Sequence, residues 1–118
     1  MKVYRLELDG QGIYTIPKDN QELKNIILEM GAVHSDGFSH PSGTMDFDYD
    51  EVCGLDYRFA CPDLEKFTAW FGEFIDKLLP FEEVKLYEVE CPRVILGQSE
   101  KQCLYVTDEV TNKTEIVI

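Results

Sequence analysis

The residues best placed for chemistry are consecutive: Asp46, Phe47, Asp48, Tyr49, Asp50 and Glu51 set carboxylates at alternate positions with aromatic rings between them. Carboxylates spaced this way can converge on one hard cation, and the run resembles the opening of a calcium loop. The rest of that loop is missing, because Glu51 stands where a glycine must turn the chain and Tyr57 where a bidentate glutamate must close the shell. The run therefore reads as a solvated acidic stretch or as a partner-binding surface in which Phe47 and Tyr49 supply apolar anchors amid charge. We take these six residues as the expected partner-binding site, with no metal and no cofactor.

Two histidines and four cysteines are the other ligand types present. Five residues separate His34 from His40 and seven separate Cys53 from Cys61, which matches no common metal site. His40-Pro41 is expected instead to fix its loop through an imidazole hydrogen bond to the backbone. Cys53, Cys61, Cys91 and Cys103 contain no C-x-x-C pair, so they are expected to be reduced and to pack as small hydrophobes. No P-loop, G-x-S-x-G, H-E-x-x-H or dinucleotide-binding glycine fingerprint occurs.

The elements that must hold these residues are set by periodicity. Tyr4, Leu6 and Leu8 alternate with Arg5 and Glu7, the pattern of a half-buried strand over 3–8. A turn around Gly10 and Gly12 leads to a second short strand over 13–16, closed by Pro17. Asp19 and Glu22 make a capping-box-like start for a helix over 20–30, with Leu23, Ile26, Ile27 and Met30 on one face and Gly31 as its stop. A second helix is expected from Asp63 to about Pro80, on the wide apolar stripe that includes Phe67, Trp70, Phe71, Phe74 and Leu78. Trp70 and the phenylalanines of that stripe read as core. Strands are expected over 57–61, 84–90 and 93–96, and 102–110 pairs with 114–118 as a hairpin across Asn112-Lys113. The order predicts one α+β domain over 1–118, an antiparallel-rich sheet with two main helices and a long acidic loop at about 32–56.

Charge narrows the partners. Eleven basic and 23 acidic residues give −12, and 34–63 alone holds seven acids and one base. Such a field repels phosphate backbones and draws cations or basic protein faces, so direct nucleic-acid binding is not expected. A chain of 118 residues, 44% hydrophobic, can bury one core. No apolar run approaches the roughly 18 residues of a membrane span, so a soluble chain without an export signal is expected.

Several short pieces together carry a resemblance: Val3-Tyr4-Arg5-Leu6-Glu7 with Gly10, Gly12 and Tyr14, then His40-Pro41, Leu64-Glu65-Lys66-Phe67 with Trp70-Phe71, Leu86-Tyr87-Glu88-Val89, and Gly97 with Gln102-Cys103-Leu104-Tyr105. In these the chain resembles short proteins encoded by tailed phages and prophages, which implies action in the cytoplasm of a bacterial host but no particular reaction. The expected function is engagement of a host protein or complex, a defence-system component among the candidates, through the acidic-aromatic loop. Oligomeric state is left open. A fold-level resemblance to the ADP-ribosyltransferase superfamily implies an alternative, a nucleotide-binding or degenerate transferase-like protein using Arg5, Tyr57, Glu100 and Gln102. Glutamine at 102, where that motif carries a carboxylate, leaves an oxocarbenium-like centre without its stabiliser and impairs transfer.

Overall fold

A computed structural model describes residues 1–118. Its first hairpin follows from two residues: Asp9 and Gly10 both hold positive φ (48° and 80°), the geometry of a two-residue turn whose twist suits antiparallel strands. They join β1 (Lys2–Leu8) to β2 (Gln11–Gly12) with Leu8 opposite Gln11. The strand expected over 13–16 does not form. The Thr15 N–H closes back on the Gly12 carbonyl at 3.0 Å, and Pro17 offers no donor to a ladder, so Tyr14 leaves the sheet.

Helix α1 (Gln21–Val33) is capped by Asn20 rather than Asp19, since Asn20 Oδ1 accepts the Leu23 N–H at 3.0 Å. It continues through Gly31, which does not take the left-handed backbone that ends helices. The single helix expected from Asp63 to Pro80 is two: α4 (Leu64–Phe71) and α5 (Phe74–Leu78). Gly72 between them adopts φ 52°, ψ −127°, a conformation reserved for glycine. The break lets Phe71 and Phe74 both enter the core with Leu23, Ile27 and Met30.

The long acidic stretch is not bare loop. Ser42 precedes α2 (Gly43–Asp46), and Asp48 caps α3 (Tyr49–Val52) by accepting the Asp50 N–H at 3.0 Å.

Five further strands follow: β3 (Tyr57–Ala60), β4 (Val84–Glu90), β5 (Val94–Leu96), β6 (Cys103–Val106) and β7 (Asn112–Glu115). They make two antiparallel sheets, β2-β1-β4-β7 and β3-β6-β5, where the sequence suggested one. The expected hairpin of 102–110 with 114–118 is absent. After β6 the chain makes a 3-10 turn at Thr107–Glu109, and β7 crosses to pair with β4, Glu88 facing Thr114. The crossing delivers Lys113 to the buried carboxylate of Glu7, 3.0 Å from both oxygens, while Arg5 Nε bonds the same group at 2.8 Å. A carboxylate withdrawn from water needs such paired cations.

The sheets touch through one bridge, Tyr4 opposite Cys61, with reciprocal backbone bonds of 2.9 and 2.8 Å. The larger core fills the space between the first sheet and the helices. A smaller one spans the junction with Val3, Ala60, Val89, Cys91, Cys103 and Tyr105. The architecture is a single α+β domain, as expected. No helix is long and apolar enough to cross a membrane.

Candidate functional site

Beyond the Tyr4–Cys61 bridge, β1 and β3 part, and between them opens a cleft of about 900 Å³. Arg5 spans its floor, Nη1 donating to the Phe59 carbonyl at 2.8 Å. The walls come from the 12–15 turn, the end of α1, residues 34–45, β3 and the end of α4. Tyr14, His34, His40, Tyr57, Phe59 and Trp70 give it an aromatic lining. Not one aspartate or glutamate lines it, although 23 of the chain's 118 residues are acidic. Its only formal charges are Arg5 and Arg58.

One end of the cleft is ordered by a hydrogen-bond relay. Trp70 Nε1, a donor only, reaches the Tyr14 hydroxyl at 2.9 Å. That hydroxyl also shares a hydrogen bond with His34 Nδ1 at 2.6 Å, its direction set by the imidazole tautomer. His40 Nε2 donates to the Trp70 carbonyl at 2.8 Å, while its Nδ1 is buried without a partner. The two imidazoles stack with centroids 4.0 Å apart and planes 17° apart. Burial, and then the neighbouring His40, pull the His34 pKa down to about 4. Burial pushes the Tyr14 hydroxyl up to about 12, against the opposing effect of the Trp70 bond.

The acidic run is divided by its own geometry. Asp46 is buried, its carboxylate accepting from Ser99 N (2.7 Å), Ser99 Oγ (2.9 Å) and Gln102 Nε2 (3.0 Å). Phe47 is also buried, packing with Val52 and Leu104. Asp48 caps α3, and Tyr49, Asp50 and Glu51 face solvent. Since Asp46 is turned inward, the alternating carboxylates do not converge on one point, and no cluster of three or more histidine, cysteine or acidic side chains could hold a metal.

Of the residues in the nucleotide alternative, Arg5, Tyr57 and Gln102 line the cleft together. Glu100 does not; it sits exposed on the β5–β6 turn with φ 61°. Gln102 also ties the acidic segment down, its amide nitrogen donating to the Pro41 carbonyl at 2.8 Å. His40 bonds a backbone carbonyl as anticipated, but that carbonyl belongs to Trp70 in a distant helix. Sequence reasoning left Tyr14, Arg58 and Trp70 out of the site. The apolar spacing around Trp70 hid its indole N–H, and nothing local foretells that Tyr14 meets it across 56 positions. The cysteines are all free, and burial pushes the Cys61 thiol in the cleft wall up to about 12.

The family described as Bacteriophage T4 Y00F protein matches residues 1–118. The chain belongs to that family. The phage resemblance carried by the Val3–Glu7, His40-Pro41 and Trp70-Phe71 pieces thus holds over the full length, and the Y00F assignment makes this a bacteriophage protein. No curated protein and no solved structure matches the chain, and nothing in the comparisons connects the Y00F family with ADP-ribosyltransferases. In chemical terms the cleft can stack a planar ring and satisfy an anion; no carboxylate in its lining can serve as a general base or stabilise a cationic transition state.

Proposed function

We propose that this phage protein binds a small ligand carrying a planar aromatic ring, of nucleotide class, in the cleft between its two sheets, and leaves it chemically unchanged. The observation that carries the reading is the acid-free aromatic lining in a chain of net charge −12. An acid-free lining lets the cleft admit an electron-rich or anionic guest that the chain's many carboxylates oppose elsewhere. Arg5, Tyr57 and Gln102, the residues implied by the nucleotide alternative, all border it. Turnover is disfavoured because Arg5 is tied to Glu7 and the Phe59 carbonyl, and because Glu100 stands outside. Thermal unfolding with millimolar nucleosides and nucleotides tests the proposal, since a guest at a hundred times its Kd stabilises by about 2.7 kcal/mol. The expected result is a raised Tm that is lost in Trp70→Ala, with the ligand recovered intact. No shift with any of them overturns the reading.

A second reading is favoured by one feature. Phe38 and Tyr49, 87% and 74% exposed, stand out from the acidic segment, Tyr49 beside Asp48, Asp50 and Glu51, none of which is ion-paired. This outer face suits a basic host protein surface, and with Asp46 and Phe47 turned inward it is smaller than the six-residue run. Capture from host lysate that disappears at high salt and in Tyr49→Ala/Asp50→Ala supports it; capture indifferent to both changes removes it.

A further inference from the structure

The cleft has two chemically distinct ends. Along β1, Tyr4, Leu6 and Leu8 face the helix-backed core near Trp70, while Val3 and Arg5 point to the other face, where Tyr105 lies. Arg58 is opposite Tyr105 in the β3–β6 register and shares its face with Ala60, so both arginines stand on the side away from the histidine relay. Both guanidiniums act on the Tyr105 hydroxyl, as does the Glu7 carboxylate that Arg5 and Lys113 hold, which places these charges in one neighbourhood. Their situations differ. Arg5 is buried and its Nε and Nη1 are already engaged, whereas Arg93, on the outer surface, pairs with Glu109. Arg58 is exposed at the rim of the cleft and makes neither an ion pair nor a side-chain hydrogen bond, the one arginine of three without a carboxylate partner. In a protein with twice as many acids as bases, an unpaired guanidinium beside an acid-free cleft has its fork of donors available for a planar or tetrahedral oxyanion.

We propose that Arg58 receives the phosphate-monoester group of a ligand whose ring lies toward Trp70 and His34, and so makes the cleft select phosphorylated over unphosphorylated forms. The inference rests on the cleft reading above and adds the ligand's charge, its orientation and the residue that sets them. The geometry suits a compact guest. A ring enters among Tyr14, His34 and Trp70, and the anion remains at the rim, where its desolvation is least costly.

Calorimetric titration of the folded protein with ribonucleoside monophosphates, the matching nucleosides and inorganic phosphate tests it. Monophosphates are expected to bind about ten- to a hundredfold more tightly than nucleosides, the range of a charge-assisted phosphate contact. Arg58→Ala should erase that advantage while leaving nucleoside affinity unchanged, Arg58→Lys should restore part of it, and added salt should weaken only the monophosphates. Arg58 is exposed on an edge strand, so both variants are expected to keep the fold, which circular dichroism checks. Equal affinity for nucleoside and monophosphate, or an advantage that survives Arg58→Ala, overturns the inference while the cleft reading stands. Inorganic phosphate binding as tightly as the monophosphates with silent nucleosides, or no binding by any of the three, overturns both.

Discussion

A methyl group at Gly97 would collide with the carboxylate of Asp46, so the glycine and the acid are a matched pair. The sequence displays Asp46 as one more charge in an acidic run; only the fold turns it inward onto Ser99 and Gln102. Asp46→Ala strands three donors and is expected to cost about 2–4 kcal/mol in urea unfolding, whereas Asp50→Ala, in solvent, stays within about 0.5 kcal/mol. His34 supplies a second residue-level test. Its folded pKa of about 4 lies below the ordinary value of 6.5, so between those values the unfolded chain binds more protons. Its contribution to stability is full above pH 6.5 and is lost as the pH falls toward 4. Melting curves of His34→Gln should decline less over that window than those of the unaltered protein; parallel curves would show that the histidine is not held neutral. Arg5, Tyr57 and Gln102 were named from the sequence only through the fold-level resemblance, and all three border the cleft. Tyr14 and Arg58 were not, because an aromatic in a turn and a base in an edge strand have many ordinary uses.

Among the elements, periodicity located β1, α1 and β4 to within a few residues, since each buries a face whose repeat survives in the sequence; β3 was placed without such a repeat, and Tyr57, Arg58 and Phe59 are all exposed. It failed where one residue overrode a pattern. The stripe from Leu64 to Leu78 is continuous, yet Gly72 divides it. Gly72→Ala forces a side chain into φ 52° and is expected to cost about 1–3 kcal/mol, measurable in the same unfolding assay. A neutral or stabilising result would mean that α4 and α5 fuse when allowed. β7 was misplaced for a different reason: its four residues are all exposed and carry no burial signal, so its partner is chosen by Lys113 reaching Glu7 rather than by any local rule. The short helices α2 and α3 were hidden in a stretch whose glycine, serine and proline content reads as loop.

At the scale of the whole molecule, net charge was legible but its distribution was not, because counting acids cannot say which surface lacks them. The cleft exists because two sheets, each regular in itself, share a single pair of reciprocal amide bonds at Tyr4 and Cys61. That backbone junction is a single stitch, backed by the Arg5 bond to the Phe59 carbonyl and by the small core around Cys103. Deuterium uptake at the Tyr4 and Cys61 amides should therefore be faster than at Val89 in the middle of β4, and should slow when a guest fills the cleft. Uptake unchanged by a bound guest would mean that the two halves are welded by the core they share around Cys103. If the cleft takes the proposed guest, its grip on both sheets is read first along this seam, at the Tyr4 and Cys61 amides.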